Sequence, residues 1–275
     1  MKQFLRKIKI ILTVSVIYLA VIGCNKPFHE VPPSAPTEFT MQFNLTANGK
    51  PITMDEIVAA SPNRYSIDLL RFYLGFPRLV KADSTEVPLS NLKLVSFDQA
   101  LPYNNVYGNV FSFLVPDGNY VAIRFGIGVP PAIKDTIAHY HFGLLDPLSG
   151  DYGAHWDMTI NVFRNIVIEM FTDTSKKQDA VLARFMRQDF HILEDGGNPF
   201  LNLYKEIQFK KNISIAKGEN HIQQFNLDAN LIFYYPGNEI DMMHTTGTDM
   251  QYTDINAMNL GMKVNDNFAK AITIQ

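Results

Sequence analysis

Cysteine and tryptophan are nearly absent from this 275-residue chain, which contains one of each, Cys24 and Trp156. A single cysteine excludes an intramolecular disulfide, so the fold must be stable without one. The sequence also lacks the P-loop, the G-x-S-x-G and H-E-x-x-H motifs, and a G-x-G-x-x-G after a predicted strand. These absences predict a protein that is not an enzyme. They do not exclude the paired carboxylates of a glycoside hydrolase, because the distance between two carboxylates depends on the fold and not on their spacing in the sequence.

Long apolar runs are absent apart from one near the N-terminus. Residues 1–9 carry four basic side chains and no acid, and an apolar run follows from Ile10 to Gly23. This pattern is typical of a secretory signal peptide and is too short for a stable membrane span. The run ends in Val-Ile-Gly before Cys24, which is similar to the bacterial lipobox. The similarity implies cleavage after Gly23 and lipidation of Cys24; the alternative is an ordinary signal peptide followed by an unrelated cysteine.

The segment after Cys24 predicts a spacer. Residues 24–38 contain four prolines and few large apolar side chains, as expected for an extended tether between the membrane and a domain over residues 39–275. Loss of residues 1–23 leaves 20 Lys and Arg, from 24, against 27 Asp and Glu, a formal charge of −7. This acidic balance argues against a nucleic-acid partner. We expect a lipid-anchored envelope protein, and Asn25 after the cysteine favours the outer membrane.

The remaining chain has the pattern of an all-β protein. Short runs rich in aromatic and branched residues recur between turn signals, which predicts an antiparallel β-sandwich with long loops and one or two short helices. Asn48-Gly49 and Pro116-Asp117-Gly118 predict tight turns, and Gly75 with Pro77 predicts a bulge or kink within a strand. The two glycines of Phe125–Pro130 also favour a bulge. Residues 52–60 and 253–272 have helical patterns, the second with Asp254 as a candidate N-cap and Ile255, Met258 and Met262 on one face.

Histidine is concentrated in one stretch, HYHFGLLDPLSGDYGAHWDM, at residues 139–158. Glycine and proline punctuate it, so no regular element is expected between His139 and His155. Loops of this length tend to be functional. Two hypotheses remain open: the histidines and Trp156 line a site, or the segment covers one end of the sandwich with its apolar side chains inward. The anchors of such a cover would be Phe142, Leu144, Leu145 and Trp156.

The order of several segments resembles the methanobactin-associated copper-binding proteins, the MbnP-like family. The clearest stretch is DGNYVAIRFGIGV at residues 117–129, and LDPLSGDYGAHWDM at 145–158 is similar to the tryptophan-containing loop of that family. FHIL at 190–193 resembles a later family strand, and NDNFAKAITI at 265–274 resembles the C-terminal end. The similarity extends over about residues 39–275.

This resemblance implies a secreted or lipid-anchored β-sandwich that binds or handles copper. It implies that Trp156 can be oxidised to kynurenine by a partner di-haem enzyme of the MauG type. His191 matches a family histidine, Met158 replaces a second family tryptophan, and Leu45 stands where the first strand commonly carries a histidine.

The side chains themselves also favour copper, since imidazole and thioether groups are suitable ligands. His139 and His141 would share one side of an extended segment because they are two residues apart. We expect the metal to be held by His191 with one or two of His139, His141 and His155. The rival hypothesis is a surface lipoprotein that has lost the metal site and displays loops to a protein or glycan. Further histidine and methionine candidates are Met158, Met242, Met243 and His244.

Overall fold

Two β-sheets form a sandwich in the computed structural model, which describes residues 37–59, 64–97, 107–134, 156–157, 162–173, 185–193, 202–242, 248–249 and 255–275. The first sheet contains β16 (Ile272–Ile274), β14 (Asn220–Asp228) and β1 (Glu38–Ala47) in that order, with β2 (Lys50–Pro51) and β8 (Val110–Leu114) both paired to β1. The second sheet contains, in order, β13 (Lys205–Ile215), β9 (Gly118–Ile127), β4 (Arg64–Val80), β11 (Val162–Asp173), β12 (Phe185–Leu193) and β15 (Thr248–Asp249).

Shorter elements complete the described structure. β3 (Val58–Ala59), β5 (Glu86–Pro88) and β6 (Leu92–Ser96) pair with β4; β7 (Tyr107–Gly108) pairs with β6, and β10 (Trp156–Asp157) pairs with β11. The described helices are α1 (Pro131–Lys134), α2 (Ala229–Phe233) and α3 (Ile255–Ala271).

Alternating apolar residues create the core between the two sheets. On β1, Phe39, Met41 and Phe43 are fully buried, as the period-two pattern predicts. Phe43 packs edge-to-face on Phe72 and Phe125 of the second sheet, at centroid distances of 5.7 and 5.9 Å. The predicted all-β sandwich is therefore confirmed. Among the described strands, the pairs β1–β14, β6–β7 and β12–β15 are parallel and the others are antiparallel.

The predicted tight turns are present, and one of them connects the two sheets. Asn48 and Gly49 have φ angles of 51° and 72° and join β1 to β2, as a two-residue hairpin requires. Residues 115–117 separate β8 from β9, but β8 pairs with β1 in the first sheet and β9 lies in the second. The Tyr120 hydroxyl donates to the carbonyl of Pro116 at 2.6 Å and so fixes this change of sheet.

The bulge lies on β4 and not on β9. The register of these strands shifts between Gly75 and Arg78, where Phe76 has a φ of 44°. Gly126 is in regular register opposite Gly75, so the bulge predicted within residues 125–130 is not found at that glycine. Gly126 lacks a side chain for another reason: a Cβ there would lie 2.1 Å from the ring of Tyr204.

One predicted helix is wrong and the other is confirmed. The described residues of 52–60 form a turn and β3, because Asp55 has a φ of 62° and leaves the helical region, while the Glu56 carboxylate accepts from the Thr53 backbone. The second helix is α3, although Ile255 is 62% exposed and does not face the core. Asp254 lies outside the described residues. The buried face of α3 includes Gly261, Val264, Phe268 and Ala271.

The sandwich belongs to a compact unit that begins at Pro36 and ends at Gln275. Cys24, the predicted signal peptide (residues 1–23) and most of the predicted tether (24–38) lie outside the described residues. Within the part of the chain that the structure describes, no helix is long and apolar enough to cross a membrane.

Candidate functional site

His191 lies on the face of β12 that points away from the sandwich core. Its neighbours Phe190 and Ile192 are both fully buried in the core, so strand alternation directs His191 to the opposite face. The side chain is only 12% exposed. The strand therefore presents one imidazole on the outer face of the second sheet and shields most of it from solvent.

A carboxylate from the neighbouring strand lies beside this imidazole. Nε2 of His191 is 3.6 Å from Oε1 of Glu169 on β11, an ion-pair distance that is too long for a well-formed hydrogen bond. The other oxygen of Glu169 accepts from Nη2 of Arg187 at 2.7 Å. Interaction with His191 lowers the pKa of Glu169, and the charge of Arg187 lowers it further against the opposing effect of burial. Glu169 is consequently ionised at neutral pH and places a negative charge beside His191.

The histidine-rich segment is attached at both ends to the strand beside His191. Before the segment, the backbone N–H of Val129 donates to Oδ1 of the buried Asn165 on β11 at 2.8 Å. Near the C-terminal end of the segment, Trp156 is paired with Phe163 of the same strand. Residues 135–155, between these attachments, lie outside the described part of the chain.

The register also relates the tryptophan backbone to His191. Trp156 pairs with Phe163, and His191 pairs with Val167, four positions further along β11. At about 3.4 Å per residue, this offset is roughly 14 Å along the strand. Trp156 and His191 therefore both pair with β11, at positions four residues apart. The side chain of Trp156 lies outside the described residues.

Comparison with known proteins identifies the family. The sequence model described as MbnP matches residues 36–266. The chain belongs to the MbnP family. MbnP from Methylosinus trichosporium is a similar solved structure, with 16% identity, coverage of 78% of this chain and 82% of that chain, and a TM-score of 0.47. The family assignment rests on the sequence model, and no curated protein matches this chain.

The predicted membership of the MbnP family is confirmed. Leu45, where the resemblance implies a first-strand histidine, lies apart from His191. Leu45, at the position of the first-strand histidine, is 6% exposed and belongs to the core between the sheets. His191 faces away from that core. Leu45 and His191 therefore lie on different sides of the second sheet in this structure.

Met242 is also removed from the candidate site. Its side chain is 1% exposed within the core, and its carbonyl accepts from Nε2 of the buried Gln188 at 2.7 Å. Among the residues that the structure describes, no group of three His, Cys, Asp or Glu side chains is arranged to hold a metal ion. The remaining candidates lie outside those residues: His139, His141, His155, Met158, Met243 and His244.

Glu169 was missed in the sequence, although a signal for it exists. It is the one charged residue in the run from Asn165 to Phe171, which otherwise reads as a buried strand. Its relation to His191 depends on the register of β11 and β12, in which His191 is opposite Val167 and Asp189 is opposite Glu169. Diagonal neighbours of this kind are within reach of long side chains but cannot be assigned before the pairing is known.

Proposed function

We propose that this protein binds copper(I) at His191 together with one or two of the histidines 139, 141 and 155. The observation that supports the proposal is the attachment of the histidine-rich segment to β11 on both sides, through Asn165 and Phe163. Because β11 is the strand beside His191, both attachments and the imidazole belong to one pair of neighbouring strands, within roughly 14 Å along the strand direction. Membership of the MbnP family favours the same function.

The setting of His191 suits a copper ligand. A metal-binding histidine usually has a carboxylate or carbonyl at its other ring nitrogen, which fixes the orientation of the ring. Glu169 lies 3.6 Å from Nε2 and gives this nitrogen a charged neighbour, so we assign metal binding to Nδ1. Bound copper(I) would be held by neutral imidazoles, which it accepts readily.

Anaerobic titration of the mature chain, residues 24–275, with copper(I) tests this proposal. We expect wild type to bind one copper ion with an affinity that His191→Ala and the triple variant His139→Ala/His141→Ala/His155→Ala both lose. His221→Ala is the matched control, because His221 lies on β14 of the other sheet and stacks on Phe39 at 5.8 Å. Equal binding by wild type and His191→Ala, or none by either, would reject the site and favour the display of loops to a protein or glycan.

The proposal has two further parts, which concern Trp156, whose side chain is not described, and Cys24, which lies outside the described residues. We propose that a di-haem oxidase of the MauG type converts Trp156 to kynurenine and adds a ligand to the site. Mass spectrometry of the peptide containing Trp156, from the native host, tests this; an unmodified peptide in copper-loaded protein would contradict it.

We also propose that lipidated Cys24 attaches the protein to the envelope, in the outer membrane. Acylation by more than one chain would make this attachment stable. Cell fractionation of Cys24→Ala tests the anchor, since the variant should move from the membrane to the soluble fraction. Continued sedimentation of the variant with the membrane would contradict lipid anchoring.

A further inference from the structure

A second candidate site lies on the same sheet, away from His191. It is a cleft of about 470 Å³ at the bulge of β4, lined by Phe76, Tyr204, Arg78, Glu86 and Glu206 with four prolines around them. Its volume is within the range of roughly 300–1,000 Å³ that small-ligand sites occupy. Arg71 of β4 lies level with His191 through Val167, and Phe76 is five residues further along β4, so the bulge is displaced from His191 by roughly 17 Å along the strands at about 3.4 Å per residue.

Two glycines allow an aromatic ring to form the floor of this cleft. Gly75 and Gly126 are paired across β4 and β9, and a Cβ on either would lie within 2.8 Å of the Tyr204 ring. The ring therefore rests directly on the backbone of both strands. Burial raises the pKa of Tyr204 to about 12, so the hydroxyl remains neutral and can donate a hydrogen bond.

The second ring is held in an uncommon backbone conformation. Phe76 has a φ of 44°, which bulky residues rarely adopt. Its N–H donates to the carbonyl of Asn91 at 3.0 Å, and its own carbonyl accepts from Nη1 of Arg78 at 3.0 Å. Strained residues of this kind persist where the surroundings fix them, and they are concentrated at binding sites. The bulge thus presents the half-exposed Phe76 ring to the cleft.

Charges beside the two rings cancel. Glu86 binds Nε of Arg78 at 2.8 Å and Nη1 of Arg124 at 2.6 Å, and Glu206 contacts the same two arginines. The carboxylates remain 37% and 41% exposed. Hydrogen-bond acceptors therefore stand next to donors, and the two glutamates are balanced by the two arginines, Arg78 in the lining of the cleft and Arg124 beside it. An ionic ligand would have to compete with these ion pairs, whereas a hydroxyl group can both donate to a carboxylate and accept from a guanidinium.

We propose that this cleft binds a neutral oligosaccharide, independently of the copper site. A sugar ring has apolar C–H faces that pack on aromatic rings and hydroxyl groups that bond to paired acceptors and donors at its edge. Phe76 and Tyr204 supply the aromatic surfaces, and Arg78, Glu86 and Glu206 supply the polar edge, with Arg124 balancing their charge. The prolines make the walls rigid, which reduces the entropy that binding must overcome.

Binding of the mature chain to a panel of neutral oligosaccharides tests this inference. The panel contains oligomers of glucose, galactose, mannose, xylose and N-acetylglucosamine, with polygalacturonate and a proline decamer as charged and peptide comparisons. We expect at least one neutral oligosaccharide to bind with little dependence on salt. If no neutral member binds, or if the polyanion or the proline peptide binds in preference, the inference is wrong.

Variants locate the binding in the cleft. Ala132 is exposed at the rim, so Ala132→Trp should block the cleft and weaken binding at least tenfold without disturbing the core. Ala216→Trp is the matched control, because Ala216 is exposed in the turn after β13, at the other end of that strand. Phe76→Ala should also weaken binding tenfold, with its folding checked by thermal denaturation. His191→Ala should bind sugar as wild type does; unchanged affinity in Ala132→Trp would overturn the assignment.

Discussion

Replacement of Asn165 by alanine should loosen the attachment of the histidine-rich segment. Asn165 is fully buried, and its Oδ1 accepts from the backbone N–H of Val129, which is itself 2% exposed. Gly128 packs so closely on the Asn165 amide that a Cβ there would lie 2.4 Å from it. The substitution leaves a buried N–H without an acceptor at the point where the chain leaves the sheet.

The expected loss of stability follows from this single orphaned donor. A buried N–H that loses its acceptor costs about 1–3 kcal/mol, and we expect about 2 kcal/mol for Asn165→Ala. For a domain of this size, each kcal/mol lowers Tm by roughly 2–4 °C, so the variant should unfold roughly 4–8 °C below wild type. Copper affinity should fall as well, because binding must then order a segment that is less well held.

Thermal unfolding followed by circular dichroism measures the first effect, and copper(I) competition measures the second. Asn119→Ala is the matched control, since Asn119 is exposed on β9 and the same atoms are removed there. The control should unfold within about 1 °C of wild type, as surface substitutions usually do. Equal Tm values for the two variants would refute the role assigned to Asn165.

Two other outcomes follow from single side chains. Asn267 is fully buried on α3 and donates to the carbonyls of Ile232 and Asn238 at 3.0 Å. Asn267→Ala should therefore lower the free energy of unfolding, measured in urea, by about 3 kcal/mol, whereas Asn259→Ala at an exposed position of the same helix should leave it unchanged. A difference between the two variants below about 1 kcal/mol would contradict this. His191 lowers the folded-state pKa of Glu169 below its ordinary value of 4.5. Ionised Glu169 therefore stabilises the fold above pH 4.5, and this contribution disappears as the pH falls through the folded-state pKa. Glu169→Gln should make the free energy of unfolding less dependent on pH below 4.5, and a pH dependence parallel to that of wild type would contradict this.

Local signals predicted the elements whose structure depends on local chemistry. The Asn48-Gly49 hairpin follows from two residues that accept positive φ, and the buried face of β1 follows from the alternation of Phe39, Met41 and Phe43. The helix predicted over residues 52–60 is wrong, although Thr53 and Glu56 have the spacing of a helix cap. In the structure their contact closes a turn instead, with Asp55 in the left-handed region.

Features that depend on distant pairing were not predictable from one sequence. β1 and β14 pair in parallel between residues about 180 positions apart, such as Phe43 and Phe225, and no local pattern specifies that partner. The sequence also does not show that β8 and β9 belong to different sheets, because the turn between them is equally compatible with a hairpin within one sheet. The contact of Glu169 with His191 required the register of two strands.

The most direct test of the copper proposal is X-ray absorption at the copper edge, measured on copper(I)-loaded wild type and His191→Ala. We expect the wild-type spectrum to show two or three nitrogen ligands at about 2 Å with the outer-shell scattering of imidazole rings. His191→Ala should either fail to load or lose one imidazole from this pattern. A wild-type spectrum without imidazole scattering, or identical spectra for the two proteins, would contradict the assignment of His191 as a ligand.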